Sequence, residues 1–332
     1  MSAVSYQEFS DWENVTAVWS ALLPRSQTHT FFQEMTIQHS WWVSAGKPEL
    51  HFVVVSENKT AIALFPLCLR GNSLQFLGDQ DVSDYLDALI VPECVDAAFE
   101  GFRQFLEHCT GWEKLELVSI PQDSLIFHGI KIIVEREKLS YTQTQQDVCP
   151  IIELPATWDG YLSAVGKKQR HEIKRKWLRL EEQGKVTFRV VTDIYDDPTA
   201  LDTFFTLHRQ SSVEKNTFWT PEHLNYFTQL SAAASAGGWL RLYFLDFNGV
   251  SVAAMYCFNY GEELLIYNSG FNAIAFVDKS IGSVITAFTI KNAIEQGKKR
   301  YDFLRGGEAY KMRYLAVAHP VFNILVEKGQ TP

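Results

Sequence analysis

Apolar positions along this chain change period several times, and each change predicts an element. Residues 51–55 and 61–67 are apolar runs of strand length around a turn at Glu57-Asn58-Lys59, which predicts a hairpin. Residues 74–77 predict a short third strand. From 95 to 109 the spacing turns helical, with Ala98, Phe99, Phe102, Phe105 and Leu106 on one face, and 115–118 returns as a strand. The same order recurs later. Residues 239–245 and 250–258 form a second hairpin about Asn248-Gly249, and 264–268 is a third strand. A helix starting at Ser280 carries Ile281, Val284, Ile285 and Phe288 as its stripe, and 301–304 closes the set. Strand, turn, strand, strand, helix, strand is therefore written twice, which predicts two related α/β lobes, residues 1–150 and 151–332.

The remaining pattern fills in around this repeat. Residues 6–23 show helical spacing through Phe9, Trp12, Val15, Val18, Trp19 and Leu22, ended by Pro24. A short helix over 37–43 carries Trp41 and Trp42, aromatic positions that suit a core better than a stacking site. Residues 151–155 read as a linking strand. The following basic segment, 167–180, places Ile173, Trp177 and Leu180 on one helical face and its charges mainly on the other. Such a face is either plain solvated helix or an anion-binding rim. Helices follow over 201–211, with His208 beside the stripe, and from Thr220-Pro221 to Leu230. The last strand is expected at 321–326.

Composition narrows the function classes. At 332 residues with 46% hydrophobic residues, the chain is globular and long enough for two domains. A net charge of -9 argues against a bulk nucleic-acid binder and against DNA in particular. Five widely spaced cysteines without a Cys-x-x-Cys pair fit reduced thiols rather than a disulfide frame or a metal site. The first twenty residues lack the basic start and apolar core of a signal peptide, and no apolar run reaches membrane-spanning length. The expectation is a cytoplasmic protein without a membrane span.

Candidate chemistry concentrates in the second lobe. A helix N-terminus is a natural site for a phosphate, since its first amides lack partners and its dipole favours negative charge. Lys279, Ser280, Ile281, Gly282 and Ser283 would form that turn: a cation, hydroxyl donors, and a glycine that lets a ligand approach the backbone. Ser280 is read as the side-chain cap; an ordinary capped crossover helix is the alternative. The equivalent helix of the first lobe opens Pro92-Glu93-Cys94-Val95-Asp96, whose carboxylates would repel a phosphate. Just past the closing strand lie Asp302, Arg305, Glu308, Tyr310 and Lys311, at the strand end where open α/β sheets bind ligands. Proton transfer at such a strand end needs a base and an acid. Asp302 or Glu308 could take a proton, Tyr310 could give one, and Lys311 could hold an anionic group. The other reading is that these residues only pair with one another and fix the loop. No nucleophile elbow, His-Glu-x-x-His or Walker loop is present.

Several of these segments resemble the GNAT-type acyltransferases of the cellulose-biosynthesis-associated family. The matching residues are Tyr267-Asn268-Ser269-Gly270, Ser280-Ile281-Gly282, Tyr301-Asp302-Phe303-Leu304-Arg305-Gly306 and Tyr310-Lys311. Ser83-Asp84-Tyr85-Leu86-Asp87 matches an element of the first lobe, and Lys167 to Arg170 matches a Lys/Ser-x-x-Arg element. The wider GNAT turn is Arg or Gln, two residues, Gly, one residue, Gly or Ala. Lys279 and Val284 depart from its first and last positions.

The resemblance implies two GNAT-like lobes, each a mixed central sheet flanked by helices. It implies acetyl-CoA or another acyl-CoA as donor, and a small-molecule, cell-envelope or polysaccharide-related amine as acceptor. It further implies Asp84, Tyr85, Arg170, Tyr267 and Arg305 as acceptor-side or substrate-binding residues, and no metal. The tandem arrangement also resembles the Fem peptidyltransferases, so aminoacyl-tRNA is an alternative donor that the acidic balance disfavours. A degenerate lobe pair acting as a binding module is the alternative outside enzymes.

Overall fold

The structure is a computed structural model that describes residues 3–273, 276 and 280–329, and it divides into two compact units. The first comprises residues 1–147 with 319–332, the second residues 148–318.

The first unit contains β1 (Val4–Phe9), α1 (Thr16–Leu22), α2 (Met35–Ser44), β2 (Glu49–Glu57), β3 (Thr60–Arg70), β4 (Ser73–Phe76), β5 (Leu89–Ile90), α3 (Val95–His108), β6 (Lys114–Pro121), α4 (Ile126–Glu137) and the start of β7 (Ser140–Glu153). Asn58 and Lys59 both take positive φ, 50° and 68°, as a tight hairpin turn between β2 and β3 requires. The pairs β2/β3 and β3/β4 are antiparallel, and β4/β6 is parallel across α3. The inner face of α3 packs Phe99 and Phe102 on Phe65 of β3. The helix expected from residue 6 starts only at Thr16, because the preceding segment pairs with β2 from Val4/Glu57 to Phe9/Phe52. That strand is short and largely exposed, so its two-residue period is faint beside the helical spacing that follows.

The second unit contains α5 (Trp158–Ala164), α6 (Lys167–Gln183), β8 (Val186–Val191), α7 (Ala200–Arg209), α8 (Val213–Thr217), α9 (Pro221–Ala236), β9 (Leu240–Phe247), β10 (Val250–Tyr260), β11 (Glu263–Phe271), α10 (Ile281–Glu295), β12 (Arg300–Asp302) and α11 (Ala309–Met312). Its sheet runs β7-β12-β11-β10-β9-β8. Here β9/β10 and β10/β11 are antiparallel, and β11/β12 is parallel across α10. The pairing sequence is that of the first unit, so the repeat read from the sequence is a repeat of topology. Each unit is a mixed sheet flanked by helices. One face of the second sheet is covered by α5, α6 and α10, through Tyr161, Ile173, Leu180, Ile285 and Ile290 among others. The opposite face meets α7 and α9 through an aromatic cluster of Phe204, Phe227, Tyr256 and Tyr267. The closing strand β13 (Val317–Glu327) pairs antiparallel with β6, so the last strand belongs to the first unit and not to the second lobe as expected.

Candidate active site

Parallel pairing of β11 with β12 covers Glu263–Leu265 against Arg300–Asp302 and then stops. Beyond it, β11 stays on β10 as far as Phe271, whereas the chain after β12 stays with β7. Phe303 N–H donates to the Pro150 carbonyl at 2.9 Å and Gly306 N–H to that of Val148 at 3.0 Å. Two parallel strands thus part at their carboxyl ends, where α/β sheets place ligands. A cleft of about 290 Å³ lies there, lined by Ala254 and Met255 of β10, the end of β11, the first turns of α10, and Lys215, Glu308 and Tyr310.

A β-bulge sets the direction of the β11 side chains. Tyr256 pairs with Asn268 and Cys257 with Ile266, so Tyr267 is the extra residue. Ile266 remains in the core with α10, while Asn268 Oδ1 sits 2.9 Å from His208 Nε2 on α7. Trp219 donates its indole N–H to His208 Nδ1 at 3.0 Å, so the imidazole is the neutral tautomer that donates from Nε2. Burial pushes the His208 pKa down to about 4, with the Lys215 charge adding to it, and the ring is structural. A Cβ on Gly270 would stand 2.4 Å from the His208 backbone nitrogen, which is why only glycine fits this crossing of β11 and α7. Phe271 N–H donates to Ser211 Oγ at 2.8 Å. The end of β11 is therefore fixed to the end of α7.

From that anchor α8, capped by Ser212, carries Lys215 to the cleft, where its ammonium donates to the Ser269 carbonyl. Burial pulls the Lys215 pKa down to about 8; Glu308 opposes this and Lys311 adds to it. Lys311 is 5% exposed and spends its donors within the loop, on the carbonyls of Gly306 (2.9 Å) and Arg305 (3.3 Å) and on Glu308 Oε2 (2.8 Å). Gly306 stands at φ +123°, and a Cβ there would lie 2.6 Å from Glu308 Oε2. Burial, then the Glu308 carboxylate and Tyr314, hold the Tyr310 hydroxyl above its ordinary pKa and so protonated at neutral pH.

The start of α10 differs from the expectation. Ser280 lies at φ +52° and its hydroxyl makes no capping bond. A side-chain cap needs an extended residue, and the left-handed backbone turns the hydroxyl away. The Ser280 carbonyl instead accepts from the amides of Ser283 (2.9 Å) and Val284 (3.2 Å). Ile281 is buried in the core and can offer only its backbone. Lys279 lies outside the described residues. Gly282 lines the cleft, and a Cβ there would meet nothing within 4 Å. Its φ lies outside the positive region and the packing leaves room, so the fold itself does not require glycine; space for a ligand is what it leaves. Ser283 Oγ accepts from Lys176 of α6 at 3.1 Å and is also bonded by Tyr314.

The structure gathers Gly282, Ser283, Glu308 and Tyr310 of the expected residues around the cleft, with Lys311 holding the loop behind Glu308. Asp302 is 2% exposed, accepts the Leu304 N–H at 2.7 Å, and does not line the cleft. Arg305 is likewise absent from the lining, although its carbonyl is bound by Lys311. Tyr267 stacks on Phe227 with ring centroids 5.4 Å apart. Arg170 donates to the Leu162 carbonyl at 3.3 Å. Asp84 and Tyr85 are buried residues of the first unit, Tyr85 meeting Phe32 edge-on. Sequence reasoning missed Lys215 and Lys176. For Lys176 a signal existed, because it follows Ile173 by three residues and so turns toward α10 with the apolar stripe. Among the described residues no group of three or more His, Cys, Asp or Glu could hold a metal ion.

Residues 167–312 match the model of the acetyltransferase (GNAT) domain. No curated protein matches the chain. Solved structures share its fold at low identity. FemX is 10% identical with a TM-score of 0.63, over 96% of each chain. L-PGS from Bacillus licheniformis is 13% identical with a TM-score of 0.59, over 98% of this chain and 94% of that one. A tandem GNAT protein from the clavulanic acid biosynthesis pathway is 10% identical with a TM-score of 0.52, over 97% and 98%. The fold is thus GNAT-like, and the matched segment contains all the cleft residues named above.

Proposed function

We propose that the second unit is a GNAT-fold acyltransferase that moves an acyl group from a coenzyme A thioester to an amine. The observation that carries this reading is the cleft between the parting strands. It joins a helix start, with an open glycine, to a cation, a carboxylate and a protonated phenol. The amides of the first turn of α10, with Ser283 Oγ and Lys176 beside them, suit the pyrophosphate of the donor. The edge of β11 past its pairing with β12, which no strand among the described residues covers, suits the amide-bearing arm of the same molecule, which can pair as a strand does. In this reading Glu308, more than half exposed at its side chain, accepts a proton from the incoming ammonium. Tyr310 donates one to the departing thiolate. Lys311 keeps the Arg305–Glu308 turn in place rather than touching substrate. The proposed acceptor is the small envelope or polysaccharide-type amine that the family resemblance implies.

Calorimetric titration with acetyl-CoA and with a longer acyl-CoA tests the proposal. Wild-type protein should bind a thioester in the micromolar range, and Gly282→Asp should weaken binding at least tenfold without unfolding the chain, since a Cβ there meets open space. Equal affinity in the variant moves the donor site elsewhere. Binding of neither thioester, together with salt-sensitive binding of tRNA, would replace the donor with an aminoacyl-tRNA; binding of none of them would leave a non-catalytic module.

A further inference from the structure

A second feature of this unit lies on the face of α6 turned away from Lys176. Between residues 167 and 179, α6 carries seven Lys and Arg against one Glu, in a chain whose net charge is -9. Its buried stripe, Ile173 and Leu180 with partly buried Trp177, already serves the core. Lys167, Lys168, Lys174, Arg175 and Arg179 are exposed on the side of the helix away from that stripe, Arg175 paired with Glu172, and Leu178 is 58% exposed among them. Beside that face opens an apolar cleft of about 290 Å³, walled by Trp158, Leu162, Ile173, Trp177 and Leu178, with Lys174 and Lys291 also lining it.

We propose that α6 docks on an anionic lipid surface, with its cations among the headgroups and Leu178 and the Trp158–Trp177 cleft taking acyl chains. A lone apolar side chain on a helix is ordinary. An apolar cleft flanked by lysines and continued by a row of cations is not accounted for by the fold, and it matches the layered chemistry of a membrane interface. The length of the basic row is the reason for choosing a surface over a single soluble amphiphile, for which one or two cations suffice. Nucleic acid would use the same charges through its phosphates but would leave Leu178 and the apolar cleft beside them without a partner.

Sedimentation of the full chain with phosphatidylglycerol vesicles and with phosphatidylcholine vesicles tests this. Binding should occur with phosphatidylglycerol, fall as salt is added, and shift tryptophan emission to the blue. Lys174→Gln should weaken it roughly fivefold, the effect of one cation near an anionic surface. Leu178→Asp should weaken it further; both sites are exposed, so folding is not at stake. No binding to phosphatidylglycerol, or unchanged binding by Leu178→Asp, overturns the proposal. So does binding of monomeric laurate without vesicles, which would make the cleft a site for a free amphiphile. Binding of tRNA in place of vesicles, indifferent to Leu178→Asp, would assign α6 to nucleic acid. None of these outcomes depends on whether acyl-CoA binds.

Discussion

Lys215 is held where its charge is unwelcome, and the size of that cost can be worked from its titration. The ordinary lysine value is 10.5 and the folded chain lowers it to about 8. Below pH 8 both folded and unfolded chains carry the proton, and the folded chain alone bears the desolvation of the ammonium. Between pH 8 and 10.5 the folded chain has released the proton while the unfolded chain keeps it. The unfolded state then binds more protons, and stability rises with pH. Above 10.5 both are neutral and the gain is complete. At about 1.4 kcal/mol per pK unit the full span is about 3 kcal/mol. Lys215→Met removes the charge and also the charged hydrogen bond to the Ser269 carbonyl, a loss of about 2 kcal/mol. The variant should therefore be more stable than wild type by about 1 kcal/mol at pH 7, or roughly 2–4 °C in melting temperature. The advantage should shrink between pH 8 and 10.5. Urea unfolding of both proteins across that range is the assay. A variant no more stable at pH 7, or an advantage that does not change with pH, would refute the reasoning. An unfavourable amine kept in a cleft suggests that the cleft uses it, so the stabilised variant is also expected to lose turnover.

Two further substitutions probe the site. Tyr310→Phe should leave acyl-CoA affinity within about twofold and cut turnover by about 10²-fold, as loss of a proton donor does; thiol release from acetyl-CoA beside calorimetry separates the two effects, and normal turnover removes Tyr310 from the mechanism. Gly270→Ala should destabilise the second unit by about 3 kcal/mol or more, because backbone cannot yield as a side chain can; Gly282→Ala, with open space around its Cβ, should be neutral or slightly stabilising, and urea midpoints that rank the two the other way would show that the α7–β11 crossing is misjudged.

What was legible in the sequence follows from which interactions leave a local trace. Both hairpins and both crossover helices were readable because their apolar periods are set by burial within one element. β1 and the first half of β7 were not readable: Ser140 to Asp147 is almost wholly polar, and the strand is held by backbone pairing that side chains do not record. β13 reads as a strand in the sequence but its unit does not, since pairing partners two hundred or more residues apart leave no periodic signal. The site shows the same division. Glycines and loop residues near the parting strands stood out by motif. Asp302 and Tyr267 stood out equally, yet one is buried and the other stacks in the aromatic cluster. Spacing places a residue on an element, but which way the bulge at Tyr267 turns the rest of β11 is decided by the partner strand. Lys215 shows the limit most clearly. Nothing around it marks it out, because its environment is assembled by three long-range contacts: Gly270 against the α7 backbone, Asn268 on His208, and Ser211 on Phe271. Each fixes the end of β11 to the end of α7, and together they determine where α8 delivers the amine. A site of this kind can be read only after the strand and the helix that frame it have been brought together.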